Sequence, residues 1–236
     1  MADDGTVAAF LVGLQLTDSA FPSGFYTMSH GLEGFHQAGL VDPDSVDDLL
    51  EDLLVHSVGP ADATALAHAH ERAVRGDWDG VAEVDRLLFT SKLNAELRTA
   101  SVRSGRQLAD LATEIFGGEA GAPAINEWAA RVKSRSTPGC QPVVTAVCYA
   151  AEKVPVAAAV AADLFAFAAS FTFAALRLRL VDHRSAQRML RRAHPAIEEV
   201  VDAALLRPLD DLGGFVPMTD VMSSAHERAE ARLFTT

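Results

Sequence analysis

Between Val156 and Leu176 the chain runs through alanine, valine, leucine and phenylalanine, interrupted only by Asp163, Ser170 and Thr172. A stretch this long and apolar either crosses a membrane or forms a helix enclosed by other helices. Its large apolar side chains contribute roughly −0.3 to −0.6 kcal/mol each to insertion, whereas Asp163 costs about +2.5 to +3.5 kcal/mol near the centre. Ser170 and Thr172 erode what remains, so insertion gains nothing. The run reads as the buried central helix of a soluble protein, with a helical membrane component as the alternative.

The rest of the chain supports a helical bundle. Of the 236 residues 49% are hydrophobic, only 7% are aromatic, and alanine dominates, so a core can form from closely packed helices. Val46, Leu49, Leu50, Leu53 and Leu54 recur at helical spacing, and so do Leu97, Ala100, Ser104, Leu108, Leu111 and Ile115. Gly59-Pro60 reads as a break with Pro60 opening the next helix, and Gly117-Gly118 as a stop. Gln141-Pro142, Pro155, Asp182 and Pro195 each read as a helix start. The expectation is an all-α single-domain bundle of about ten helices around the central apolar helix, occupying residues 1–207. Pro208, Gly213, Gly214 and Pro217 mark a linker over 208–217, and a tail fills 218–236. In the tail, Ser224 and Glu227 match a capping box, but the helix they would start has a thin apolar face. Such a helix frays unless something receives it.

The formal charge of −12 excludes nucleic acid and anionic lipid as natural partners, since both need a basic surface. Cys140 and Cys148 are too few for a disulfide framework or a four-thiolate zinc site. The acidic start Met-Ala-Asp-Asp lacks the basic region of an export signal, so a cytoplasmic location is expected. His68 and His70 stand two apart on a helix and point away from each other, which is poor geometry for sharing a metal. There is no nucleophile elbow, P-loop or Gly-x-Gly-x-x-Gly, so no catalytic residue, cofactor site or metal site is assigned.

Three segments do not reduce to packing. One is Gln15-Leu16 followed by Asp18-Ser19-Ala20-Phe21-Pro22-Ser23-Gly24-Phe25-Tyr26 and Ser29-His30-Gly31-Leu32-Glu33; another is Gln141-Pro142-Val143-Val144; the third is Met222-Ser223-Ser224-Ala225-His226-Glu227 leading to Arg232-Leu233-Phe234. With Glu96-Leu97-Arg98, Ser101 and Gly105-Arg106 between them, this ordered set resembles the UreF-type urease accessory proteins over nearly the full length. Phe25 replaces the family's second glycine, His30 stands where glycine is frequent, and Cys140 where histidine is often found.

The resemblance implies an all-α, dimeric adaptor with no turnover of its own. It implies partners: a UreD/UreH-type accessory protein, the UreG GTPase and apo-urease, with nickel and GTP handled by those partners and no cofactor bound directly. The partner-binding residues it suggests are Phe21, Pro22, Ser23, Gly24 and Tyr26 at the turn, and Met222, Ser223, Ser224, His226, Glu227, Arg232, Leu233 and Phe234 in the tail. Arg177 and Arg179 are candidates for a dimer or GTPase contact. A direct nickel-binding metallochaperone and a small helical enzyme with an unrecognised site are the competing readings.

Overall fold

The computed structural model describes residues 4–19, 21, 28–118, 120–226 and 233–234, with backbone alone for 4–6 and 225–226. Among the described residues every regular element is helical: α1 (Asp4–Thr17), α2 (Leu32–Gln37), α3 (Val46–Leu53), a π-helical turn (Leu54–Ala63), α4 (Thr64–Val74), α5 (Trp78–Ser91), α6 (Ala95–Ile115), α7 (Ala122–Lys133), α8 (Gln141–Ala151), α9 (Val156–Arg177), α10 (His183–Leu206), a 3-10 turn (Leu209–Asp211) and α11 (Pro217–His226). The all-α expectation holds.

The centre of the bundle is α8 rather than α9. Nine consecutive residues of α8, Gln141 to Tyr149, are buried, and α4, α6, α7 and α9 all pack against it. Helix α9, expected to be enclosed, is only half buried and leaves Phe165 and Phe173 on an exposed side. The apolar run overstated its burial because alanine fills both sides: it is small enough to face solvent at little cost and still raises the hydropathy of the window.

Two prolines do not break the chain as the sequence suggests. α10 runs straight through Pro195, so the two helices expected there are one. Gly59-Pro60 lies inside the widened turn that links α3 to α4 without a gap. Proline has no N–H to donate, so the ladder cannot continue in α-register there. Carbonyls around the proline find donors outside the ladder: Gly59 takes the Thr64 hydroxyl, Pro60 the N–H of Gly213, and His56, one turn before the proline, the N–H of Phe215. Residues 212–216 are thereby strapped to the wide turn, which is how the chain reaches α11.

Three helix ends share one device. α7, α8 and α9 each close with the paired reverse hydrogen bonds of a Schellman motif, and the left-handed residue in each is basic: Arg135, Lys153 and Arg179. A left-handed side chain is unfavourable, but a cation at the negative end of a helix offsets part of that cost. This gives Arg179 a structural task.

Candidate functional site

The site grows from α11. Pro217 opens this helix and Ser224 lies inside it, so the start expected at Ser224 is moved seven residues toward the N-terminus. Proline suits a first helical position, because its missing N–H would have had no partner there. The most buried side chains are polar: Thr219 and Ser223, one turn apart, with Met222 half-buried beside them. The outward face is apolar: Met218 and Val221, with Phe215 just ahead of the helix, are 50%, 56% and 71% exposed. This amphipathicity is inverted relative to an ordinary surface helix.

α2 receives the helix. Gly34 allows the approach, since a Cβ there would stand 2.7 Å from the Met222 carbonyl oxygen. Asn94, the cap of α6, donates to the Ser224 hydroxyl at 2.8 Å, and the Ser223 hydroxyl reaches Glu96 at 3.5 Å. Glu33, buried on α2, accepts the backbone N–H of Leu233 at 2.8 Å and of Phe234 at 3.0 Å. Phe234 is buried, and the Arg177 guanidinium lies 4.3 Å from its ring centroid. The described parts of the tail, Pro217–His226 and residues 233–234, therefore have a seat on their own domain, which supplies the receiver that so short a helix needs. The seat rests on a buried carboxylate and a cation over a ring, neither of which a count of apolar residues detects.

Of the suggested contact residues, Met222 is half-buried, Ser223 buried, Ser224 bonded to Asn94, Leu233 exposed and Phe234 enclosed. Phe21 is partly buried and borders a small cavity with Tyr149 and Asp163. Pro22, Ser23, Gly24, Tyr26, Glu227 and Arg232 lie outside the described residues, as does the side chain of His226. The structure thus joins Arg177 to the tail but separates Arg179, which caps α9.

A second polar group sits beneath α11. His30, at φ 55°, precedes Gly31, at φ 87°, and the two left-handed residues turn the chain into α2. Glycine is favoured at such a backbone angle, so His30 holds a conformation that a glycine would adopt without strain. The His30 ring bonds the Ser170 hydroxyl at 2.9 Å and tilts against Phe167; burial first, and then the charge of Lys92, pull its pKa down to about 3. Asp163, the acid inside the apolar helix, accepts from the Gln141 amide at 2.9 Å, and burial pushes its pKa up to about 7. Lys92 grips Asp62 with both carboxylate oxygens at 2.7 and 2.8 Å. The sequence flagged Gln141-Pro142 and Asp163 separately but gave no means of pairing them, since 22 positions divide them.

The remaining candidates are absorbed by structure. His68 bonds the Arg207 carbonyl and His70 the Val154 carbonyl. Cys140 and Cys148 are buried free thiols, and burial pushes the latter up to about 12.

Comparison with known proteins fits this arrangement. The sequence model of the UreF family matches residues 40–194. The chain belongs to the UreF family. It is 33% identical over 226 residues to "Urease accessory protein UreF 2" of Brucella canis, covering 94% of this chain and 89% of the relative. The figures for "Urease accessory protein UreF" of Yersinia enterocolitica are 30% over 223 residues, 94% and 96%. Brucella melitensis has a "Urease accessory protein UreF 1" 33% identical over 226 residues, at 94% and 90%. The family match spans the helices that carry Asp163 and Gln141 and stops short of α11, so the tail's kinship rests on the longer pairwise likenesses.

Proposed function

We propose that this UreF-family chain is an adaptor in urease maturation, bridging a UreD/UreH-type accessory protein and the UreG GTPase so that GTP-dependent nickel insertion into apo-urease can proceed. The observation that carries the reading is the inverted amphipathicity of α11. Its buried contacts are hydroxyls, while Phe215, Met218 and Val221 face outward, and exposed Leu93 lies beside Asn94 where α11 meets α6. An exposed apolar face on a small helix, rimmed by polar groups, is what a protein partner covers. Leu233, 63% exposed, adds an anchor, whereas Phe234 serves to seat the tail.

The UreD/UreH-type protein occupies this outer face, and the turn bearing Phe21 to Tyr26 contributes to the same assembly. A homodimer uses a different surface, the apolar stripe of α1. There Val7, Phe10, Leu11 and Leu14 share one helical side and are all about half exposed or more. Arg177 then acts through the tail it holds. Nickel and GTP remain with the partners, and the chain itself works in the cytoplasm without turnover.

The test is co-purification of the full chain with the UreD/UreH-type protein. Met218→Glu combined with Val221→Glu should cut recovery at least tenfold while circular dichroism and thermal midpoint stay unchanged. Removing residues 218–236 should also cut recovery at least tenfold, with the loss of helical signal limited to α11. Undiminished recovery with both variants overturns the reading.

A further inference from the structure

A cavity of about 110 Å³ lies between the π-helical turn, α6, the start of α8, α9 and α11. Its polar lining includes His30, Asp62, Lys92, Ser104, Gln141 and Asp163, and α11 supplies one wall through Thr219. The hydroxyls of Ser104 and Thr219 are buried and have no hydrogen-bond partner among the described residues. Leaving a hydroxyl unpaired costs on the order of 1–3 kcal/mol, so two on residues that line one chamber point to something that bonds them. A buried water needs on the order of 10–15 Å³ and two to four polar partners, so this chamber accommodates several. The Lys92 charge acts on His30, Asp163, Cys140 and Asp220, which places it at the electrostatic centre of the group. Around neutrality Asp163 exchanges a proton and can both donate and accept there.

Helix α11 closes the chamber weakly. Its fully buried side chains, Thr219 and Ser223, are small and polar, Met222 lends the core a half-buried apolar side chain, and Met218 and Val221 face out. Elements that bury little apolar area open locally at a fraction of the global unfolding free energy.

We propose that this chamber is a binding site for a cluster of ordered water, open to uncharged hydrogen-bonding solutes of a few atoms, and that α11 is its lid. Thr219 is the residue that both bonds the cluster and shuts the entrance. The proposal stands apart from the maturation role, because it needs no partner protein.

Two measurements on the isolated full chain test it. In the wild type, water-to-protein NOEs to the Thr219 methyl should carry the sign of long-lived bound water. For the lid, Thr219→Cys and Ser104→Cys introduce thiols on two of the lining helices, α11 and α6, with native Cys148, 1% exposed, as the core reference. In native buffer, methyl methanethiosulfonate should modify each new thiol at least tenfold faster than Cys148, at rates unaffected by low urea. If Thr219→Cys does not fold, Ser104→Cys reads the same opening from α6. No bound-water NOE, or new thiols no faster than Cys148, overturns the proposal.

Discussion

The carboxylate of Glu33 accepts the backbone N–H of Phe234, 201 positions along the chain, at 3.0 Å, and its other oxygen takes the preceding N–H. Each hydrogen bond to a charged group contributes about 1.5–3 kcal/mol, so this single side chain holds the end of the molecule. Glu33→Ala should raise hydrogen exchange at Leu233 and Phe234 at least tenfold, with amides of α8 unchanged. Glu33→Gln, which keeps a neutral acceptor, should fall between. Equal protection in all three proteins would show that the clasp carries no weight.

The Arg177 guanidinium covers the other side of the same residue, at a distance where cation–π attraction contributes about 0.5–2 kcal/mol. A double-mutant cycle of Arg177→Ala and Phe234→Ala, read by urea denaturation, should give a coupling of about 0.5–1 kcal/mol. Additive effects would mean that Arg177 merely lies nearby.

Gly105 should tolerate no side chain. A Cβ there would stand 2.0 Å from the Gly139 carbonyl oxygen and 2.8 Å from the Gln141 nitrogen, and backbone cannot step aside as a flexible side chain can. Gly105→Ala should cost roughly 1–3 kcal/mol in urea unfolding. Gly13 is the matched control: nothing lies within 4 Å of its Cβ position, and it sits inside α1. There alanine should gain roughly 0.5–1 kcal/mol from helix propensity.

The sequence made the helices legible wherever burial followed the 3.6-residue period. The stripe on α6 held at Ala100, Ser104 and Leu108, and Asp182 capped α10 as expected through the Ser185 N–H. It misled where a local signal was answered by a distant group. Pro60 looked like a break because the donors for its own carbonyl and for that of His56 come from residues 213 and 215. The Ser224 capping box was overridden by a proline start and by the bond from Asn94. For the candidate site, the ordered motifs singled out Ser29 to Glu33, Gln141-Pro142 and the tail without showing that Glu33 meets the tail or that His30 and Gln141 line one cavity. Glu33 was quoted as part of a motif, yet its role needed the tail's coordinates.

The pH dependence of stability gives the last prediction, because His30 and Asp163 oppose each other. Burial raises the Asp163 carboxyl to about 7 from an ordinary 3.8, so between those values the folded chain holds a proton that the unfolded chain has lost. Its contribution to stability therefore declines as pH rises from about 4 to 7 and is fully lost above that. Burial lowers His30 to about 3 from 6.5, so between those values the unfolded chain holds the extra proton, and stability declines as pH falls. Over the shared window the two slopes, each at most about 1.4 kcal/mol per pH unit, nearly cancel. Removing one should expose the other. The stability of Asp163→Asn minus wild type, from urea unfolding, should climb as pH rises from 4 to 7. The same difference for His30→Gln should climb as pH falls from 6.5 to 4. His70, Lys92, Asp62 and Asp220 are common to all three proteins and drop out of these differences to first order. Two flat differences would mean that neither group is buried in the way its surroundings require.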